Sequence, residues 1–216
     1  MDFAGAYTPD NIKFLLEGFW VTIQVAFVSI ILSFIIGGLV GIIRYAKVPV
    51  LSQILAMIVE TVRNLPLLLI IFFTYFALPE VRIKLEIIPA AIVALTIFES
   101  AMLSEVIRSG LKSVDKGQLE AARSSGLSYV QALIHIILPQ ALRRMVPPIV
   151  SQFISLLKDT SLAVVISLPE LTHHGQIIYG QSQKFLIPIL ILVALMYFVV
   201  NYSLSIVAQR LELKRT

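Results

Sequence analysis

The stretch from residue 18 to residue 43 contains 26 consecutive positions without a charged side chain. A helix of about 20 residues, at 1.5 Å each, crosses the hydrocarbon core of a membrane. Acidic residues precede the stretch (Asp2, Asp10 and Glu17), where a signal peptide would carry basic ones. The stretch therefore fits a permanent span or a signal anchor, and we do not expect it to be cleaved.

Composition extends this interpretation to the whole chain. Of the 216 residues, 58% are hydrophobic and 14% are charged, against about 45–50% and about 25% in soluble domains. These values argue against a soluble enzyme, a disordered chain and a nucleic-acid-binding protein. The sequence has no cysteine, which excludes disulfides and cysteine-based metal or redox sites.

Five apolar segments are long enough to span a membrane. The second contains Glu60 and Arg63, which lie one helical turn apart and can pair. The pattern predicts an all-α membrane protein with a single domain over residues 1–216. The spans are expected at about residues 18–43, 51–78, 88–107, 145–168 and 185–208.

Basic residues are divided unequally between the two sets of loops that five spans create. One set holds eleven lysines and arginines and the other holds four. Because basic loops stay in the cytoplasm, we predict a multi-pass plasma-membrane protein with an external N-terminus and a cytoplasmic C-terminus. The eleven residues are Arg44, Lys47, Arg108, Lys112, Lys116, Arg123, Arg143, Arg144, Arg210, Lys214 and Arg215.

The largest predicted cytoplasmic loop covers residues 108–144. Its sequence favours two short helices, at 117–124 and 129–137, with Gly126 between them. Gly126 would permit a sharp turn or a close backbone approach. Pro139 is expected to end the second helix and direct the chain back into the membrane. An ordered helical hairpin of this kind predicts a docking element for another protein.

The same loop carries the most specific motif in the chain. It reads Glu120-Ala121-Ala122, then Gly126, then Ile136 and Leu138-Pro139. These residues and their spacing resemble the EAA loop of the membrane subunits of bacterial ABC importers. No phosphate-binding GxxxxGK[ST] loop occurs in the sequence, so energy for transport would have to come from another protein.

The resemblance extends over roughly residues 12–208 and points to the polar amino-acid permease subfamily, which includes histidine, glutamine and basic amino-acid permeases. Two departures stand out. Arg63-Asn64-Leu65-Pro66 replaces an Arg-Gly-Thr-Pro that is frequent in the family, and Glu99 occupies a position that is usually small or neutral. The matching segments are Gly18 with Thr22, residues 63–66, Ala101 with Glu105 and Arg108, residues 116–120, and residues 157–162.

The resemblance implies the fold of a type I ABC importer permease. It also implies partners: a second, identical or homologous permease, two ATPase subunits on the EAA loops, and an external binding protein that delivers the amino acid. ATP and Mg²⁺ would be bound by the ATPase, with no cofactor, metal or catalytic residue in this chain. The implied coupling residues are Glu120, Ala121, Ala122, Gly126 and Pro139.

Polar side chains inside spans are functional candidates because burying them in lipid is costly. Gln152, Ser155 and Asp159 lie three and four residues apart, so they share one face of the fourth span. They could contact the polar ends of an amino acid. Alternatively, Asp159 pairs with Lys158 or caps a helix break before Thr160. We hold these two alternatives as equal for Asp159 and Lys158, and favour substrate contact for Gln152.

Two further acidic residues lie in the third span. Glu99 could bind the ammonium group of a substrate, but pairing with Arg63 is the favoured interpretation. Glu105 and Arg108 are one turn apart and are expected to lock the cytoplasmic end of the span. Because the candidate path mixes Gln, Asp, Glu and Lys, the best prediction for the substrate is glutamine or glutamate.

A secondary amino-acid transporter driven by protons through Glu99 or Asp159 is the alternative function. Such transporters usually have more spans and internal repeats, and no repeat is evident in this sequence. His173 and His174 are adjacent and point to different faces of a helix, so a metal site is not expected. An intramembrane hydrolase is disfavoured because no nucleophile–base pair is apparent in the sequence.

Overall fold

The computed structural model describes the backbone of residues 1–213 and the side chains of residues 1–206. The described backbone is helical without strands, as the sequence predicts. The side chains of Arg210, Lys214 and Arg215, which contribute to the charge asymmetry, lie outside the described residues. The α-helices are α1 (Phe3–Ala6), α2 (Pro9–Tyr45), α3 (Leu51–Asn64), α4 (Leu67–Phe72), α5 (Ile87–Lys112), α6 (Lys116–Ser124), α7 (Tyr129–Ala132), α8 (Leu138–Asp159), α9 (Leu171–Gln181) and α10 (Leu186–Leu213).

Four helical runs in the described residues are long and apolar enough to cross a membrane. A bent pair of helices provides a fifth crossing if it is counted as one span. This agrees with the predicted architecture, and each run begins before its predicted apolar stretch. The four runs are Pro9–Tyr45, Ile87–Lys112, Tyr129–Ile166 and Gln183–Ile206.

The first span begins well before the charge-free stretch because its N-terminus is capped. The Thr8 hydroxyl accepts a hydrogen bond from the amide of Asn11 at 3.3 Å, and Pro9 occupies the first turn, where no amide partner is needed. At the other end, α2 gives way to a tight turn in which Lys47 and Val50 have φ angles of 53° and 62°. α3 then starts directly after this turn.

The second predicted span is not one straight helix. α3 and the helical segment Leu67–Val81 meet at an angle of 104°. The bend lies at Leu65, which has extended backbone angles (φ −91°, ψ 142°) because it precedes Pro66. Pro66 also lacks the amide hydrogen that would continue the helix. The proline thus converts a predicted straight span into a broken one.

The prediction that Pro139 ends a helix is wrong. A continuous helical run passes from Tyr129 to Ile166, with Pro139 in the first turn of α8. Before it, residues Leu133–Ile137 form a π-helical turn. The wider turn shifts the hydrogen-bond register at the point where the proline has no amide hydrogen to donate, so the helix continues. The coupling segment and the fourth span are therefore one continuous helical rod.

Small residues on α2 set its distance from α5. A Cβ atom at Gly37 would lie 2.8 Å from the carbonyl oxygen of Ser100, and one at Gly41 would lie 2.7 Å from that of Ser104. These distances are too short for a side chain, so only glycine permits the contact. The four-residue spacing of the two glycines predicts close helix packing of this kind, and the structure confirms it.

Apolar packing also joins the coupling loop to the spans. A buried cluster unites α5, the π turn and α8. At one point the helices approach so closely that a Cβ on Gly110 would meet the side chain of Met145. The loop and the adjoining helix ends therefore form one packed unit. The cluster consists of Leu103, Ile107, Leu111, Val114, Ile137, Ala141, Met145 and Ile149.

Candidate coupling site and translocation path

Local hydrogen bonds define both ends of α6, the helix that carries the EAA residues. Its N-terminus is capped by Asp115, whose carboxylate accepts from the amide of Gly117 at 2.7 Å. Its C-terminus has the two bonds of a Schellman motif, from Leu127 N to Ala122 O at 3.2 Å and from Gly126 N to Arg123 O at 3.0 Å. The helix therefore begins and ends at fixed residues.

Gly126 is required for its backbone conformation. It has a φ of 87°, in the left-handed region that side chains disfavour. A Cβ atom there would meet nothing within 4 Å. Of the two roles that the sequence leaves open, the sharp turn is confirmed, and no close approach occurs within the described chain.

The three EAA residues face different directions. Glu120 and Ala121 are exposed, whereas Ala122 is buried. A small residue at 122 lets α6 lie against the rest of the bundle, and the exposed pair is left on the outer surface. Within this chain, Glu120 and Ala121 are therefore available to a partner, while Ala122 positions the helix that carries them.

The second arm of the hairpin is fixed by a capping box. The Ser128 hydroxyl accepts from the amide of Gln131 at 3.2 Å, and the Gln131 side chain accepts from the amide of Ser128 at 2.8 Å. A side-chain bond of 3.4 Å from Gln140 to Gln118 connects α8 to α6. Arg144 donates to the carbonyl oxygen of Ser113. These bonds make the loop a rigid lever attached to α5 and α8.

An ion-pair network joins two spans at the same end of the bundle. Arg44 lies 3.1 Å from a carboxylate oxygen of Glu105, and it also donates to the Ser104 hydroxyl at 3.5 Å. Arg108 binds the same carboxylate, with its Nε at 3.0 Å. The expected Glu105–Arg108 pair is thus confirmed.

Sequence reasoning missed the part that Arg44 plays in this network, because it placed the residue in a loop. A signal was available. Gly37, Gly41 and Arg44 are spaced by four and three residues, which puts them on one face of α2. Since the two glycines mark the face that packs against α5, Arg44 had to reach toward α5 as well.

Glu99 is buried, with 1% of its surface exposed. The favoured prediction of a Glu99–Arg63 salt bridge is wrong: Arg63 pairs with Glu60 at 3.3 Å on the bundle surface, in agreement with the prediction for that pair. Among the described residues, Glu99 Oε1 has no hydrogen-bond partner. Arg63 lies in the last turn of α3, one turn after Glu60, so it reaches the carboxylate of that residue within its own helix.

Gln152, Ser155 and Asp159 share one face of the continuous helix α8, as their spacing predicts. Asp159 is partly buried. Among the described residues, no salt bridge joins Asp159 to Lys158, and the Asp159 side chain caps no helix. Both structural roles considered for Asp159 are therefore wrong. Lys158 itself is exposed.

A cavity of about 420 Å³ opens below these carboxylates toward the coupling end of the bundle. Gln152 lines it together with Arg63, Glu105 and Arg144. The structure thus brings Gln152 to a mainly apolar cavity with three charged residues in its lining, while Glu99 and Asp159 lie nearer the middle of the bundle. Together these residues mark a discontinuous polar path along α5 and α8.

The opposite end of the bundle contains a buried carboxylate that sequence reasoning also missed. Glu170 is fully buried and caps α9, accepting from the amide of His173 and the hydroxyl of Tyr197, each at 2.8 Å. His174 binds the carbonyl oxygen of Phe14 at 2.6 Å. Glutamate is not among the residues preferred at N-caps, so no local signal in the sequence identified this role.

These features define a class of protein. A bundle of membrane-spanning helices, with a buried carboxylate oxygen of Glu99 that has no hydrogen-bond partner among the described residues, fits a membrane transport subunit. The comparison with known families agrees: the family described as the inner membrane component of binding-protein-dependent transport systems matches residues 30–216. The chain belongs to this family of multi-pass permease subunits, which are not themselves enzymes.

Individual relatives are similar over their whole length. The chain is 72% identical over 218 residues to the probable glutamine ABC transporter permease protein GlnP of Bacillus subtilis (strain 168), covering 100% of both chains. It is 40% identical over 203 residues to the probable glutamine ABC transporter permease protein GlnM of the same organism, covering 94% of each. A crystal structure of an amino acid ABC transporter with histidines superimposes with a TM-score of 0.92 at 27% identity, covering 99% of each chain.

Proposed function

We propose that this chain is the permease subunit of an ABC importer that carries glutamine, or the closely related glutamate, across the cytoplasmic membrane. The observation that carries the proposal is the buried carboxylate of Glu99, which has an unpartnered oxygen in the interior of a membrane protein. A buried ionisable group without a structural partner is costly, so it is a functional candidate by default. The names of the relatives supply the class of substrate.

The polar path provides groups that suit an amino acid. Glu99, together with Asp159, would attract the ammonium group, since two carboxylates in a desolvated site favour a cation. Ser155 and Gln152 follow on the same helix face and offer neutral hydrogen bonds to an amide side chain. Lys158, predicted as a path residue, points to the surface and is left out of this proposal.

Energy would come from a partner. In this proposal a dimer of ABC ATPases, which bind ATP and Mg²⁺, docks on the hairpin at Glu120 and Ala121. The chain itself binds no cofactor. Ala122, Gly126 and the π turn before Pro139 keep the hairpin rigid, so that movement of the ATPase is transmitted directly to α5 and α8. A second permease, identical or homologous, would complete the path.

The orientation follows from the charge distribution. Contacts place the basic loop residues Arg44, Arg108 and Arg144 at one end of the bundle. At the other end, the amide of Asp2 donates to the carbonyl oxygen of Lys184 at 3.2 Å. We assign the basic end to the cytoplasm. The end with Asp2 and α9 would then face the external binding protein.

The test is amino-acid-dependent ATP hydrolysis. A tagged permease is purified from its own cells together with its associated ATPase and is reconstituted in liposomes with the binding protein. Glutamine should stimulate ATP hydrolysis more than histidine or arginine does. The proposal also requires that the ATPase is present in the purified preparation in a stoichiometric ratio to the permease. Uptake by the isolated permease driven by a proton gradient alone would overturn the proposal in favour of a secondary transporter.

A further inference from the structure

A second cavity lies beside the coupling hairpin, separate from the cavity that Gln152 lines. It has a volume of about 490 Å³, and its walls are the ends of α2 and α5 together with α6 and α7. Two acidic side chains, Asp115 and Glu120, also contribute to its lining. Five basic side chains line it: Arg44, Lys47, Arg108, Lys112 and Lys116.

Some of the charged side chains that line this cavity already have partners within the protein, and others do not. Arg44 and Arg108 are held by Glu105. Asp115 is engaged as the cap of α6. By contrast, the three lysines form no salt bridge within the described part of the chain. An anion entering the cavity would therefore meet three ammonium groups without a protein partner.

The cavity lies at the level of a membrane interface. The charge-free stretch of α2 ends at Arg44, which is one of the lining residues. Leu39 and Ile42 precede Tyr45, another lining residue, at intervals of three residues along α2, and both expose large apolar side chains, as does Val48 after the helix. The site thus combines a basic cavity with an apolar surface that leads away from it along α2.

We propose that this cavity binds the phosphate headgroup of an anionic lipid from the cytoplasmic leaflet, with its acyl chains along α2. Basic pockets between the cytoplasmic ends of membrane helices recognise such headgroups. The inference rests on the proposed orientation of the chain. Because α6 and α7 form two of the walls, a bound lipid braces the coupling hairpin against α2 and α5.

The combination of charge and apolar surface favours a lipid over the other anions that three lysines could attract. Free phosphate has no apolar part that could contact the exposed side chains of Leu39 and Ile42. The ATPase is proposed to dock on the surface of α6 that includes Ala121, which does not line the cavity, so an acidic ATPase segment is not expected inside it. These two alternatives are separate outcomes of the test.

The experiment compares lipid retention by matched variants of the tagged permease, each purified with its associated ATPase. The test variant is Lys47→Gln with Lys112→Gln, which removes two exposed charges from the cavity. The control is Lys84→Gln with Lys184→Gln, which removes two exposed charges from the opposite end. Phosphatidylglycerol retained per complex is measured by mass spectrometry after washing in detergent that contains phosphatidylcholine.

The test variant should bind phosphatidylglycerol at least about tenfold more weakly than the control, since each basic residue near a membrane surface contributes substantially to binding anionic lipid. Equal retention by the two variants would overturn the proposal. So would displacement of the lipid by millimolar inorganic phosphate, which indicates a free-anion site. Loss of the ATPase from the test variant with unchanged lipid indicates an acidic protein segment and overturns it too.

A second experiment, which measures ATP hydrolysis, distinguishes failure of the lipid site from failure of the proposed transport activity. Glutamine-stimulated ATP hydrolysis is measured in nanodiscs of phosphatidylcholine, with and without phosphatidylglycerol. The wild-type complex should be stimulated by phosphatidylglycerol and the test variant should not. Glutamine stimulation that is equal in both lipids overturns the lipid site and leaves the transport function intact.

Discussion

Arg44, at the end of the first membrane span, forms a buried ion pair of 3.1 Å with Glu105 on α5. The side chains of the two residues are only 7% and 19% exposed. Since Arg108 binds the same carboxylate, Glu105 joins two cations at the point where α5 leads into the coupling hairpin. The end of the first span is thereby tied to the lever that would transmit ATPase movement.

Replacing Glu105 should destabilise the protein more than replacing Arg44. Glu105→Gln leaves the buried Arg44 and the partly buried Arg108 without an anion, which costs on the order of 3 kcal/mol. Arg44→Met leaves Glu105 paired with Arg108 and costs less. The two effects should also be non-additive in the double variant, because one interaction is removed by either change. Unfolding temperatures of the detergent-solubilised protein measure this.

The exposed pair Glu60–Arg63 provides the control for this cycle. Its side chains are 56% and 33% exposed, and exposed pairs contribute at most about 1 kcal/mol. Glu60→Gln should therefore leave the unfolding temperature nearly unchanged. Equal losses for Glu60→Gln and Glu105→Gln would contradict the importance assigned to the buried network.

Gly41 and its neighbour Gly38 form a matched pair for testing helix packing. A Cβ at Gly41 would lie 2.7 Å from the carbonyl oxygen of Ser104, whereas one at Gly38 meets only the tip of Ile107 at 3.9 Å. Gly41→Val should destabilise the protein by about 1–3 kcal/mol because α2 and α5 must separate. Gly38→Val should be tolerated. If both variants unfold at the same temperature, the contact between α2 and α5 does not require glycine at position 41.

The turn at Gly126 should depend on backbone conformation alone. Gly126→Val places a β-branched residue at a φ of 87° and costs about 1–3 kcal/mol of local strain. Gly126→Asn, which tolerates this region, should keep most of the uptake. Both variants should reach the membrane, because a Cβ at this position meets nothing within 4 Å. The measurement is ATP-dependent uptake normalised to permease in the membrane, and wild-type uptake by Gly126→Val would remove the turn from the mechanism.

Glu170 should make the stability of the protein depend on pH. Burial raises the pKa of the Glu170 carboxyl above its ordinary value of 4.5, although hydrogen bonds, including those from His173 and Tyr197, partly oppose the shift. The folded state therefore holds this proton more tightly than the unfolded state. The resulting stabilisation is complete below the ordinary pKa and is lost as pH rises through the raised native pKa.

Glu170→Gln removes this titration and keeps one carbonyl oxygen that can accept from the amide of His173, while its NH2 group can donate to the Tyr197 hydroxyl oxygen. The difference in unfolding temperature between wild type and variant, measured from about pH 4 to about pH 8, should shift in favour of the variant as pH rises. The external Glu80→Gln change, at an exposed position, serves as the control. A difference that is flat across this range would show that Glu170 does not titrate differently in the folded state.

Glu99 should matter for transport and not for folding. Glu99→Gln preserves shape and removes the buried ionisable group, so the unfolding temperature should not fall. If the carboxylate binds the substrate ammonium group, losing a hydrogen bond to a charged group should raise the KM for glutamine about tenfold or more. An unchanged KM together with a lower unfolding temperature would contradict substrate binding by Glu99, since that pattern identifies the residue as structural.

Local sequence signals predicted much of the coupling hairpin. Asp115, Gly126 and Ser128 act on backbone groups within a few residues of themselves, so their caps and turn can be read directly from the sequence. The apolar stretches, likewise, identify spans because the membrane constrains each helix separately. Pro66 gave a local signal as well, but the angle of the bend depends on what the two helix segments pack against.

The sequence by itself therefore determined that this protein lies in a membrane, where most of its helices are, and which motif identifies its family. The tertiary structure decided which charges meet. It placed Glu105, rather than another acidic residue of α5, at Arg44, and it left Glu99 without Arg63, the partner that the sequence analysis favoured. Such pairings depend on how distant helices are rotated and bent against one another, and no local pattern of residues specifies that.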